Sequence, residues 1–161
     1  MVFSPEQKMA RYYRIVQEPW AATAMDGEGA RRFGGRWNPP GVPAVYLAAS
    51  RALAALEILV HAPREALLLD WKILEVEIPD EWVEECIPST LPRTWREQPS
   101  SPAARDFGRR WLATGHGLAL RVPSVIIPEE FSILLNIKHS RMRDLQVGEA
   151  RAFSFDPRLS V

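Results

Sequence analysis

The stretch GGRWNPPGVPAVYLAASRALAALEILVH, residues 34–61, decides the fold because it contains a loop, a strand and a helix in immediate succession. The Asn-Pro-Pro-Gly sequence at 38–41 is strong turn chemistry, since proline fixes φ and glycine tolerates positive φ. The alternation in 42–48 predicts a short strand. Ser50 is a good helix N-cap and Pro63 stops propagation, so the alanine- and leucine-rich segment 51–61 predicts a helix.

Each of these local structures carries one polar side chain of interest. Arg36 follows the glycine pair, Tyr46 lies on the strand face opposite its apolar neighbours, and Glu57 interrupts an otherwise apolar helix. Arg36 can clamp an anion, although a loop arginine covering a sheet edge is commoner. Tyr46 is more often a core aromatic than a ligand platform. Glu57 requires an ion-pair partner, a functional pocket or an exposed helix face.

The bulk composition is that of a globular protein. A chain of 161 residues fits one domain, residues 1–161, which can bury roughly two-thirds of its unfolded surface in one core. Hydrophobic residues make up 47% and charged residues 25%, while 14 prolines indicate many fixed turns. We therefore expect a single, loop-rich domain of mixed α/β class.

Charge and cysteine content narrow the class of function. Twenty basic residues balance twenty acidic ones, which argues against direct binding of nucleic acid or an anionic membrane. Cys86 is the single cysteine, and the three histidines have no metal-ligand spacing, so no metal site is predicted. Residues 1–10 lack the apolar core of a signal peptide, and no apolar run could span a bilayer. These features predict a cytoplasmic protein.

The rest of the chain predicts further short elements. Residues 102–114 predict a helix that stops at Gly115, residues 79–85 a short amphipathic helix, and residues 21–35 and 88–102 irregular loops. The segment 67–78 predicts strand structure with a bulge near Ile73, where the apolar parity switches. Other predicted strands are 11–17, 118–122, 125–127, 131–135 and 152–155.

Several short motifs occur along the chain: Tyr13-Arg14, Gly34-Gly35-Arg36-Trp37-Asn38 with Gly41, Val45-Tyr46-Leu47, Ser50 through Leu53-Ala54 to Glu57, Pro123-Ser124, and Leu134-Leu135-Asn136 before His139. Taken together, these motifs resemble those of the RES-domain toxins of bacterial toxin–antitoxin pairs. The domain is named for an arginine, a glutamate and a serine, which map to Arg36, Glu57 and Ser124. Two positions depart from the family pattern: Ser132 stands where asparagine is usual, and Ile137 where proline is usual.

The resemblance implies an α/β fold similar to bacterial ADP-ribosyltransferase toxins, with NAD as a consumed substrate and no redox cofactor. It implies that the catalytic residues are Arg36, which holds phosphate, Tyr46, which packs on the nicotinamide or its ribose, and Glu57, which stabilises the positively charged sugar. The implied substrate-binding residues are Arg14, Gly35, Trp37 and Ser124.

The resemblance leaves the acceptor open. Water would make the protein an NAD glycohydrolase, inorganic phosphate an NAD phosphorylase, and a protein side chain a mono-ADP-ribosyltransferase. It further implies an Xre-like helix-turn-helix antitoxin as partner, in an assembly that is either a homodimer or a toxin–antitoxin hetero-oligomer. The rival hypotheses are a non-catalytic binding module and a toxin that acts on RNA through Arg31, Arg32 and Arg36.

Overall fold

A computed structural model of the chain describes residues 6–161, and residues 1–5 lie outside the description. The predicted absence of a signal peptide in residues 1–10 therefore lies partly outside the described residues. The helices are α1 (Glu28–Phe33), α2 (Arg51–Leu59) and α3 (Pro102–Thr114). The strands are β1 (Met9–Gln17), β2 (Val45–Ala48), β3 (Trp71–Pro79), β4 (Val83–Glu85), β5 (Ala119–Pro123), β6 (Phe131–Leu135), β7 (Gln146–Val147) and β8 (Arg151–Phe153).

All eight strands belong to one sheet, in which the order β4-β5-β6-β2-β1-β3-β7 is completed by β8 pairing with β3. Among residues 6–161, β4 and β5 are the only neighbours that pair in parallel, and α3 lies in the connection between them. Parallel neighbours need such a crossover because a tight turn cannot join them. No helix among residues 6–161 is both long and apolar enough to cross a membrane.

The two longer helices cover the same face of the sheet. Tyr46 and Ala48 share one face of β2, since side chains alternate along a strand. Ala48 packs in the cluster that contains Leu53 of α2, while Tyr46 packs against the cluster that contains Leu112 of α3. The opposite face is covered by a separate core cluster that includes Val45 and Leu47 of β2.

Local sequence signals account for both helices. The Ser50 side chain accepts a hydrogen bond from the Leu53 N–H, so the predicted helix 51–61 is confirmed over Arg51–Leu59. Ser101 caps α3 in the same way through the Ala104 N–H. Gly115 follows α3 at φ 66°, a left-handed conformation that favours glycine, so the predicted stop is confirmed.

The predicted bulge near Ile73 is wrong. β1 and β3 pair without interruption from Met9↔Pro79 to Gln17↔Trp71, and the segment before Trp71 is a 3-10 helix, Arg64–Leu68. The apolar parity switches because the sheet is buried on both faces at different places. Trp71 packs in the cluster under α2, whereas Val76 and Ile78 pack in the core of the opposite face.

Three other predictions need correction. The predicted loop 21–35 contains α1, where the Asp26 side chain accepts the Glu28 N–H as a local helix start. The predicted helix 79–85 is a single 3-10 turn, Asp80–Trp82, followed by β4, which extends the sheet beside β5. Residues 125–127 form a turn instead of a strand because Ser124 ties the chain back on itself. The strand predicted at 152–155 is found as Arg151–Phe153.

Candidate functional site

A cleft of about 720 Å³ opens on the sheet face beside α2, and its other walls come from α1, the loop 34–37 and the segments 98–100 and 123–126. It forms where β1 and β2 part: these strands share one register pair, Tyr13↔Ala48, whereas β2 and β6 share four. The cleft brings together Arg14, Gly35, Arg36, Trp37, Tyr46, Glu57 and Ser124, the residues that the sequence singled out.

Arg14 stabilises the point at which the two strands separate. Its Nε donates to the Ala24 carbonyl at 2.9 Å, and its Nη1 donates to the Tyr46 carbonyl at 3.1 Å. The Tyr46 carbonyl lies just beyond the single register pair, so the guanidinium satisfies an oxygen that a longer ladder would pair with backbone. Burial lowers the pKa of Arg14, while the nearby Asp26 carboxylate raises it.

The Tyr46 hydroxyl organises the glycine-containing loop. It donates to Asn38 Oδ1 at 2.5 Å and accepts the Trp37 N–H at 3.1 Å. Burial raises the pKa of this phenol, so it stays a neutral donor. A Cβ on Gly35 would lie 2.8 Å from both Asn38 Oδ1 and the Tyr46 hydroxyl oxygen, which means that only glycine fits there. Asn38 is fully buried and also donates from Nδ2 to the carbonyls of Ala30 and Val42.

This loop positions Arg36 at the cleft. Its Nη1 donates to the carbonyls of Trp95 and Glu97 at 3.0 and 2.6 Å, which anchors the guanidinium to the segment 95–100. Burial lowers the pKa of Arg36, whereas the Glu57 carboxylate raises it. Within residues 6–161 no carboxylate forms a salt bridge with Arg36, and the other guanidinium nitrogens make no protein hydrogen bond. Arg36 can therefore bind an anionic ligand with those nitrogens.

Glu57 projects from α2 into the same cleft. Burial raises the pKa of its carboxyl group, while His61, Arg36 and a hydrogen bond from Ser124 lower it. Ser124 is 1% exposed and its Oγ accepts the N–H groups of Ile126 and Ile127 at 3.1 and 3.2 Å. With both acceptor positions filled by backbone, the hydroxyl proton is left to donate to Glu57. Ser124 therefore lies close enough to Glu57 to lower the pKa of the carboxylate that the sequence placed on an apolar helix.

The Trp37 side chain is buried and packs the loop against α3. It is 2% exposed and stacks on Trp95 with ring centroids 6.2 Å apart, with Phe107 of α3 at its edge. A Cβ on Gly108 would lie 1.8 Å from the Trp37 carbonyl oxygen, so α3 packs directly on the backbone here. Any direct contact between Trp37 and a ligand in the cleft would therefore be limited to its backbone or ring edge.

Several cleft residues were not singled out by the sequence. His61 lies one helical turn beyond Glu57, and Gln98, Pro99 and Ser100 also line the cleft. Local patterns identified 88–102 only as an irregular connection, because its contact with Arg36 spans about sixty residues of chain. Of the two family departures, Ser132 lines the cleft, whereas Ile137 packs against the core of the other face.

The arrangement suits chemistry on an anionic substrate that develops positive charge. A guanidinium and a carboxylate line one cleft without a mutual salt bridge, so each is available to a ligand. In the described part of the chain, no group of three metal-ligating side chains could hold a metal ion. Arg31 and Arg32 of α1 both pair with Glu28, which offsets one of their two positive charges.

Comparison with known proteins gives consistent matches over nearly the whole chain. The model of the RES domain matches residues 11–156. "Toxin Res" of Yersinia enterocolitica is 38% identical over 148 residues, which cover 91% of this chain and 97% of that protein. The "Prs ADP-ribosylating toxin" of Sphingobium sp. is 37% identical over 153 residues, covering 92% and 95%.

Two further matches concern the protein MbcT. A segment of 36 residues is 61% identical to "NAD(+) phosphorylase MbcT" of Mycobacterium bovis, covering 22% of this chain and 19% of that protein. A chain in the crystal structure of the M. tuberculosis MbcT-MbcA toxin-antitoxin complex matches with a TM-score of 0.76 at 22% identity, over 96% of this chain and 88% of that chain. At that identity the match concerns the fold, and it confirms the predicted mixed α/β class.

Proposed function

The chain belongs to the RES-domain family, and we propose that it is a toxin that consumes NAD by cleaving the bond between nicotinamide and ribose. One observation carries this proposal: Arg36 and Glu57 line the same cleft, each without a salt-bridge partner among residues 6–161. NAD presents an anionic diphosphate and a cationic nicotinamide riboside, which are complementary to these two charges.

The chemistry follows from where charge develops. When the bond between ribose C1′ and the nicotinamide nitrogen breaks, the electron pair moves to the nitrogen and neutralises the pyridinium ring. Positive charge then spreads over C1′ and the ring oxygen of the ribose. The ionised Glu57 carboxylate stabilises this oxocarbenium-like sugar, and Arg36 holds the diphosphate so that the reacting carbon stays in place. An acceptor oxygen finally bonds to C1′ and loses its proton.

The other predicted residues support this pair. We assign Ser124 to orienting Glu57 by a hydrogen bond, and Gly35 and Tyr46 to fixing the loop that carries Arg36. The ring of Tyr46 also lines the cleft, where it can pack on the nicotinamide riboside. Arg14 holds the strands apart through its carbonyl contacts, and Trp37 anchors the loop to α3.

Among acceptors we favour water or inorganic phosphate. A protein acceptor is the second candidate, because a relative that covers nearly the whole chain is named an ADP-ribosylating toxin. A relative matched over a short segment is named an NAD(+) phosphorylase, which supports the phosphate reaction. The RNA-directed alternative loses support because Arg31 and Arg32, two of its three arginines, are paired with Glu28.

We further propose that an antitoxin of the Xre-like helix-turn-helix type silences the protein in the cytoplasm, where NAD is available. The matched solved structure is a toxin-antitoxin complex, which supports a partner of that kind. Expression of the chain alone should arrest growth, and co-expression of the neighbouring small gene should restore it. Light scattering of the purified complex would separate a hetero-oligomer from a homodimer.

The decisive experiment measures nicotinamide release from NAD by the purified chain. Wild-type protein is compared with Glu57→Gln, with and without inorganic phosphate, and the products are identified by mass spectrometry. We expect release to fall about 100-fold or more in the variant. A product that carries phosphate on C1′ of the ribose that held nicotinamide identifies phosphate as the acceptor. Free ADP-ribose identifies water as the acceptor. Equal release by both proteins would exclude Glu57 as the charge-stabilising group.

A further inference from the structure

Arg105 stands apart from the other arginines of α3. Arg109 and Arg110 both form salt bridges with Asp106, at the i,i+3 and i,i+4 spacings that are usual for ion pairs on a helix surface. Arg105 instead donates from Nε to the Ser100 hydroxyl oxygen at 3.0 Å. Within residues 6–161 no carboxylate forms a salt bridge with Arg105. Because Ser100 lines the cleft, Arg105 is tied to the cleft wall.

Arg36 is tied to the same segment. Its Nη1 donates to the carbonyls of Trp95 and Glu97, only a few residues before Ser100. Burial lowers the pKa of Arg36, and the positive charge of Arg105 lowers it further. Two guanidinium groups are thus held near each other by one segment, with neither forming a salt bridge in the described part of the chain. Like charges held in this way favour a bound anion that neutralises both.

The position of Arg105 in its helix adds to the same local potential. It is in the first turn of α3, which contains no acidic residue, and the positive end of the helix dipole disfavours a cation there. An arginine at that position gains little helix stability, whereas an anion beside it would interact favourably with the guanidinium and the dipole. A ligand role explains the residue type better than helix stability does.

We propose that Arg105 and Ser100, together with Arg36, form a subsite for a phosphoryl group at the wall of the cleft. The ligand class rests on the proposed NAD chemistry, which offers two phosphoryl sources: the diphosphate of NAD and an inorganic phosphate acceptor. Arg105 supplies Nη donors, Ser100 supplies its hydroxyl proton, and Arg36 supplies the nitrogens that make no hydrogen bond to residues 6–161. Arg105 is therefore a substrate-binding residue that the sequence motifs do not include.

The test measures binding without turnover. Calorimetric titrations of the full chain with ADP and with inorganic phosphate are compared for wild type, Arg105→Gln, Arg105→Lys and the control Arg110→Gln. We expect Arg105→Gln to bind at least one probe about tenfold more weakly, because it loses a charge-assisted contact. Arg105→Lys should retain part of the affinity, and Arg110→Gln should bind as wild type does. Weaker ADP binding identifies the diphosphate, and weaker phosphate binding alone identifies the acceptor.

Unchanged affinity of Arg105→Gln for both probes, or no binding of either probe by the wild type, overturns the subsite. If Arg105→Gln fails to fold, Ser100→Ala provides the test, since it removes the hydroxyl and should also weaken binding of the probe. A chain that binds ADP through Arg105 but releases no nicotinamide keeps the subsite and loses the proposed NAD cleavage. If the wild type cleaves NAD but Arg105→Gln binds both probes as tightly as the wild type does, the proposed NAD cleavage stands and the subsite is wrong.

Discussion

Replacement of Tyr46 by phenylalanine tests whether its hydroxyl group builds the site. The change removes one oxygen that donates to Asn38 Oδ1 at 2.5 Å and accepts the Trp37 N–H at 3.1 Å. Asn38 is fully buried and Trp37 is 2% exposed, so water cannot readily replace the lost partner. Tyr46→Phe therefore leaves one buried acceptor and one buried donor unsatisfied.

The magnitude follows from those two groups. Each buried group left without a partner costs about 1–3 kcal/mol, so the pair costs about 2–6 kcal/mol. For a chain of this length each kcal/mol lowers Tm by about 2–4 °C, which gives a fall of about 4–24 °C. The loop also loosens around Arg36, so the KM for NAD should rise more than kcat falls.

Thermal melting and nicotinamide release measure the two effects, and Tyr13→Phe is the matched control. Tyr13 lines the same cleft, but its hydroxyl makes no hydrogen bond to residues 6–161 and its ring is covered by Arg51. The control should therefore keep the wild-type Tm. If Tyr46→Phe and Tyr13→Phe melt together, the hydroxyl network does not hold the loop, and the structural role assigned to Tyr46 is wrong.

Glu57→Gln should raise Tm near neutral pH while abolishing turnover. Because the pKa of Glu57 is raised in the folded protein, its contribution to stability is present at low pH and is lost as pH rises through that pKa. Thermal melts of both proteins at acidic and at neutral pH measure this sign. The acid limb of the pH profile of kcat/KM should lie above the ordinary glutamate pKa of 4.5. Ser124→Ala should move this limb to still higher pH, because it removes a hydrogen bond that lowers the pKa of Glu57. An unmoved limb would show that Ser124 does not act on the Glu57 carboxylate. Gly108→Ala should lower Tm by several degrees or prevent folding, because its Cβ would meet the Trp37 carbonyl oxygen at 1.8 Å. Gly29→Ala is its control, since nothing lies within 4 Å of that Cβ and the residue is in α1.

The sequence predicted the elements that depend on neighbours in the chain. Ser50 and Ser101 each cap a helix through a residue three positions later, and Gly115 ends α3, so these helices follow from local chemistry. The prediction from sequence was wrong where burial on both faces of the sheet determines the pattern of apolar residues. The parity switch near Ile73 suggested a bulge, but it reflects two cores on opposite faces of β3.

For the candidate site too, some features follow from the sequence and others from the tertiary structure. The sequence by itself singled out Arg36 and Glu57 as candidates, because Arg36 follows a glycine pair, Glu57 interrupts an apolar helix face, and both fall in motifs that resemble the RES domain. Only the tertiary structure decided how they are held: Ser124 beside Glu57, and the carbonyls of Trp95 and Glu97 beside Arg36. Caps and turns act within a few residues, whereas the bonds to Arg36 span 59 and 61 residues and exist only once the sheet has formed.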